Sequence, residues 1–390
     1  MLSGTDPAAV PSPPPVEGRT RLHLLVEDAV QQLNICNACR YCEGLCAVFP
    51  ALERRRVLDG GDISQIANLC HDCRACFDAC MYTAPHEFDL NIPKVLSAVR
   101  VEDYRRYVWP RSAPRLLSGW RGIVSSAVAS CAVVAAVAAA HAGISGLTAY
   151  HETPQSPYEL IPYPVLLLLI LLPACFSVVV MAAAGRAYWR EIGPPPRQLS
   201  SGAVLSALLD GLRLRYLRGG GVDCYYPEDE RPSPARRRLH MLVVYGFMLC
   251  VVSTAAAGVL QDIMGSQPPY PWLSVPVISG TVGGVGLLAG CVGLIELKRR
   301  SSPVTSFAAM TVKDYGFLFS LAFLALSGML VLLTRDTAAF GVMFLVHFAA
   351  VAMTFGAAPY SKFVHLIFRY LALVRDRIEA QPPVRAGGSK

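Results

Sequence analysis

The chain has 390 residues, 53% of them hydrophobic and 16% charged, and a mean hydropathy of +0.41, too apolar for an ordinary soluble protein. The net charge of +7 does not point to nucleic acid, because the basic residues gather at the ends of apolar runs, where membrane topology accounts for them. The 13 cysteines do not describe a secreted disulfide scaffold: eight lie between Cys36 and Cys80 at metal-type spacing, and Cys131, Cys175, Cys224, Cys250 and Cys291 are scattered.

Residues 1–20 are Pro-rich, lack an apolar h-region, and read as a disordered tail and not as a signal peptide. Residues 21–110 read as a soluble domain in which cysteine motifs alternate with short helical stretches. A basic, Pro-containing linker (WPRSAPRLLSGWRG, 109–122) leads into six apolar runs at about 122–142, 160–184, 239–260, 275–297, 315–334 and 338–358. Each is long enough to cross a hydrocarbon core of about 30 Å as a helix. None has the two-residue alternation of a barrel strand. The predicted fold is therefore mainly α, with an N-terminal ferredoxin-type domain for two [4Fe–4S] clusters followed by a six-helix transmembrane bundle (111–375). The last run is expected to continue as one helix through SKFVHLIFRYLALVRDR and leave the bilayer, with a second tail at 376–390.

Loops 143–159 and 261–274 contain no Lys or Arg, whereas 185–238 and 298–314 are basic. The positive-inside rule then puts the cysteine domain, both basic loops and both termini in the cytoplasm. Within loop 185–238, LSSGAVLSALLDGLRLRYL has helical periodicity. It is expected to lie on the membrane surface, pack under the cysteine domain or cap the bundle.

The two cysteine motifs, CNACRYCEGLC (36–46) and CHDCRACFDAC (70–80), share the spacing C-x2-C-x2-C-x3-C. Three thiolates two residues apart wrap three corners of a cubane, and the fourth reaches the other cube. Cluster A is assigned to Cys36, Cys39, Cys42 and Cys80; cluster B takes Cys70, Cys73, Cys76 and Cys46. Zinc prefers isolated C-x2-4-C pairs closing one tetrahedron, and two identical four-cysteine runs fit that poorly. The Pro that often follows the fourth cysteine is replaced by Ala47 and Met81.

Three of the eight histidines fall in apolar segments, where an ionisable side chain suggests function. His240 opens the third run. His347 and His365 lie 18 residues apart in the sixth, about 27 Å along a continuous helix, too far to share one iron. His240 and His365 are at matching depth on the cytoplasmic side and are assigned as axial ligands of one haem b. His347 is assigned to a second haem or a quinone pocket; the position ten residues after His240, where a partner for it belongs, is Cys250. His71 and His86, flanking the second motif, are read as structural.

These residues carry a resemblance. CRYCEGLCAVFPALERR, ANLCHDCRACFDACMYTAPHEFDLNIP, RRRLHMLVVYGFML and APYSKFVH resemble the tricarballylate/citrate-utilisation membrane iron–sulfur family over about residues 30–375. The histidine pattern is also similar to the gamma (cytochrome b) subunit of respiratory nitrate reductase. The first resemblance implies a protein of the bacterial inner membrane that reoxidises the FAD of a soluble tricarballylate dehydrogenase and passes electrons to membrane quinone. It is thus an electron-transfer component and not the substrate-converting enzyme. The chain has no nucleotide fingerprint of its own. The rival expectations are an anchor subunit of another respiratory complex and a cluster-gated transporter or sensor.

Overall fold

The computed structural model describes residues 20–113, 119–146, 156–193, 199–221, 224–225 and 232–381. Most of the expected N-terminal tail and residues 382–390 lie outside it. The described chain is helical apart from a two-residue antiparallel pairing of Cys224–Tyr225 with Pro232–Ser233.

The cysteine domain holds α1 (Arg21–Cys39), α2 (Val48–Glu53), α3 (Gly60–Leu69), α4 (Ala75–Asp78) and α5 (Ile92–Tyr107). Their starts follow local chemistry. Thr20 caps α1, Asp59 and Asp62 form a capping box on α3, and Asn91 caps α5 just ahead of Pro93. Leu33, Phe49, Leu52, Ile63, Ile66, Leu69 and Leu96 form its core.

Six helices are long and apolar enough to cross a membrane: α6 (Trp120–Gly146), α7 (Tyr163–Ile192), α9 (Ala235–Asp262), α10 (Val275–Arg300), α11 (Ala308–Leu333) and α12 (Phe340–Ala357, its apolar stretch counted to Tyr360). They match the six predicted runs in order. Much of their apolar surface faces outward, with Leu172, Val178, Val179, Val252 and Phe323 exposed, as lipid contact requires. Small residues bring two of the helices together: Cβ atoms at Gly246, Gly283 or Gly290 would meet the partner backbone at 2.6–2.8 Å, so α9 and α10 pack backbone to backbone.

The last predicted run does not continue as one helix. Two 3-10 turns, Ala358–Tyr360 and Lys362–Val364, interrupt it, and His365 opens a separate amphipathic helix, α13 (His365–Glu379). Pro359 cannot supply the backbone N–H that a continuing helix needs. Residues 376–379, expected in the tail, also belong to α13 and are anchored. Arg55 donates to Asp62 at 2.8 Å and Glu379 at 2.8 Å, Arg375 to Asp62 at 2.6 Å, and Arg54 pairs with Asp376.

Of the three placements open for loop 185–238, its helix α8 (Ser201–Leu212) takes the one beside the cysteine domain. Ala203 and Ala207 share a core with Ala372 and Leu373 of α13 and with α1–α3, and Arg377 pairs with Asp210. The cysteine domain thus shares one core with the extramembrane helices of the bundle.

Candidate redox site

Both cysteine loops turn the same way. The residue after the second cysteine of each motif has a left-handed backbone, Arg40 at φ 57° and Arg74 at φ 69°, and Asp72 joins them at φ 53°. A non-glycine residue there costs about 1–2 kcal/mol. The bend lets three cysteines separated by two residues face one centre. Backbone N–H groups also point at sulfur: Asp72 N donates to Cys70 Sγ and Tyr82 N to Cys80 Sγ, both at 3.4 Å. Such bonds tune cluster potentials.

The neighbours of each thiol sort them into two groups. Burial, then the charges of Cys80, Cys42 and Cys39, push Cys36 up to about 12. Burial, then Cys80 and Cys39, push Cys42 up to about 11. Burial, then Cys73 and Cys70, raise Cys46 as well. Cys80 therefore stands near the thiols of the first motif and Cys46 near those of the second. Cys76 is raised far above its ordinary value by burial and then by Cys73, Cys70, Cys46 and Cys42, so the groups adjoin at Cys76 and Cys42. Among the described residues no three His, Cys, Asp or Glu side chains converge on a single-ion site. Buried thiols that repel one another's charge need a cationic core to become thiolates, and iron supplies one.

The second motif sits on the bundle. Arg100 of α5 donates to Cys70 O at 2.8 Å; Arg369 of α13 donates to Leu69 O at 2.8 Å; Arg236 of α9 donates to Asp72 O at 2.7 Å and His71 O at 3.0 Å. Three guanidiniums from three helices thus clamp one loop. Behind them lies a cavity of about 490 Å³, within the range of cofactor pockets (about 300–1,000 Å³), lined by His71, Arg100, His240, Phe317, His365 and Arg369 among others.

His240 and His365 both line this cavity. His365 Nδ1 bonds the carbonyl of Lys362, which fixes the proton on Nδ1 and leaves Nε2 as the free ligand atom. Burial, and then the charge of Lys362, push His365 down to about 3, so its imidazole is neutral, the form that binds metal. Several polar atoms bordering the cavity are buried without a hydrogen-bond partner: His240 Nδ1, His71 Nε2, and Arg100 Nε and Nη2. Unpaired buried donors of this kind are rare and costly. Two imidazoles and a cationic rim in one cavity suit a haem: His240 and His365 would hold its iron, and Arg100 and His71 its carboxylates.

His347 is elsewhere. Its Nδ1 lies 3.0 Å from Ser327 Oγ, and a Cβ on Gly328 would stand 2.9 Å from its ring. It does not line the large cavity, and Cys250 packs against the Gly283 contact of α10. Among the described residues, the contact that His347 makes is this helix-to-helix hydrogen bond with Ser327.

His71 and Arg100 are the residues that sequence reasoning missed. His71 had one available signal, its place between two cluster ligands. Arg100 had none, since nothing local marks an arginine on α5 as facing a cavity formed by α9 and α13.

The comparisons agree with this architecture. A family model described as the Fer4-like domain of citrate utilization protein B matches residues 29–106, and one described as citrate utilization protein B matches residues 123–386. A curated relative, citrate utilization protein B of Escherichia coli, is 35% identical over 358 residues, covering 91% of this chain and 93% of its own length. No solved structure matches. With both parts matched in order, this chain belongs to the citrate utilization protein B family, as a membrane iron–sulfur electron-transfer protein.

Proposed function

We propose that the protein takes electrons from the reduced FAD of a soluble dehydrogenase and passes them through clusters A and B and one haem b to membrane quinone. The observation that carries this reading is the large cavity, lined by both His240 and His365 and by His71 and Asp72 of the loop of cluster B. A haem bound there would supply a one-electron carrier between cluster and membrane. The protein supplies the rest. His240 and His365 present their imidazoles, Arg100 links the Cys70 carbonyl to the cavity, and Arg236 and Arg369 hold the loop in place.

Electrons enter at cluster A, which is the outer one. Cys39 is exposed, as are Tyr41 at 67% and Met81 at 64%. The cluster face is cytoplasmic in this reading, supported by the basic residues on that side, Arg105, Arg106, Lys298, Arg299 and Arg300, and by their scarcity at the other end. The same reading puts the protein in the bacterial inner membrane. The resemblance supplies tricarballylate as the partner's substrate, and the name of the relative points to the same class of tricarboxylates.

A dithionite-reduced spectrum tests the haem. The wild type should show a b-type α band, and His240→Ala and His365→Ala should each lose it with the cluster signals retained. An unchanged band in both variants would refute the assignment.

A further inference from the structure

A second, smaller cleft lies between α6, α11 and α12, near the cluster end of the bundle. Lys313, Ser126, Ser320, Thr354, Phe317 and Phe363 line it. Lys313 is 7% exposed, inside a membrane span, and its Nζ donates to Tyr360 O at 3.2 Å. Among the described residues no carboxylate lies within 4 Å of it, in contrast to Lys298 and Lys362, which both pair with Asp314 next door. An ammonium has three hydrogens to donate, and one acceptor leaves two unused. An ionisable group so placed in a span is a functional candidate.

The rest of the cleft complements that donor. Ser126, Ser320 and Thr354 donate their hydroxyl protons to carbonyls of their own helices, at 2.8, 2.9 and 2.7 Å, so their lone pairs are what they offer. Lys313 can thus donate to a carbonyl, and the hydroxyls can accept from a phenol. Phe317 lines both this cleft and the large cavity, and stacks edge-on against Phe363 with ring centroids 4.8 Å apart. One aromatic side chain therefore separates the two spaces. On the outer surface Trp120 of α6 and Phe319 of α11 face each other across 6.1 Å, both about half exposed, and border an approach from lipid.

We infer that this cleft binds the headgroup of a membrane quinone, with Lys313 donating to one carbonyl oxygen. The inference rests on the reading of quinone as acceptor and adds the site. Reducing one quinone takes two electrons, delivered singly through the large cavity from the dehydrogenase's flavin, and two protons from water at the cluster side. Both carbonyl oxygens end as hydroxyls and the flavin is left oxidised.

The test follows reoxidation of the dithionite-reduced α band by a short-chain quinone in full-length protein. Lys313→Met removes the donor, and Thr354→Leu fills the cleft without touching the lysine. Each is used with its cluster and haem spectra verified. Wild-type reoxidation that slows about tenfold or more in both variants, the scale of one lost charge-assisted hydrogen bond, is the expected result. Wild-type reoxidation with an unchanged rate in either variant overturns the site and leaves quinone as acceptor. Failure of the wild type itself to be reoxidised overturns the acceptor reading, and the site with it.

Discussion

The two cysteine loops share one spacing and one left-handed turn, yet they stand in opposite surroundings. The first loop is at the periphery, with Cys39 open to solvent and Tyr41 and Met81 exposed beside it. In the second, Cys70 is buried, and arginines of α5, α9 and α13 bind its carbonyls. The ligand pattern fixes what each loop can hold; the packing fixes what it can do with it. An exposed cluster can meet a soluble donor, and a clamped one can face a cofactor inside the bundle. The molecule acquires a direction from this asymmetry.

Crossed ligation gives the sharpest way to break the comparison. Cys46→Ser lies in the first motif and should abolish the magnetic-resonance signal of cluster B. Cys80→Ser lies in the second and should abolish that of cluster A. Signals lost by motif, and not across motifs, would show that the loops do not exchange ligands.

Arg100 marks the inner loop alone, and its replacement should act on the haem and not on cluster A. Arg100→Met is expected to weaken haem retention by about 10–100-fold, the scale for residues that support a metal site, with Arg100→Lys intermediate. Haem titration into the depleted protein measures it. Equal retention in all three proteins would remove Arg100 from the site.

A smaller effect separates the inner joint from the outer loop by pH. Asp103 is buried on α5 and accepts from Ser64 at 2.8 Å and Asn68 at 2.9 Å. Burial pushes it up to about 7, against the lowering effect of those two bonds. Above its ordinary value near 3.8 the unfolded chain releases this proton while the folded protein keeps it, so stability falls as pH rises from about 4 to about 7. Asp103→Asn should flatten that decline in thermal-melting midpoint. A variant that follows the wild-type slope would show that Asp103 is not the source.

Much of this was legible in the sequence where the signal is local. An apolar run of 20 residues reports its own length, so the six spans matched in order. His240 and His365 were paired by depth, and both line one cavity, although the continuous helix assumed for the second is broken at Pro359. What stayed hidden was whatever depends on a distant partner. His71 read as structural because its neighbours in sequence are cluster ligands; its unpaired Nε2 becomes visible only once α9 and α13 pack behind the loop. Residues 376–379 read as tail because Arg54 and Arg55, which tie Asp376 and Glu379 to the cysteine domain, lie more than 300 residues earlier.

The central claim is that electrons pass from the outer cluster to the haem through the inner one. It can be measured by rapid anaerobic mixing of full-length protein with a reduced flavoprotein too large to enter the cavity, using wild type and Cys73→Ser. In the wild type the cluster A signal should appear first and the haem α band after it. In the variant cluster A should become reduced while the haem stays oxidised. Haem reduction in Cys73→Ser at the wild-type rate would contradict the account.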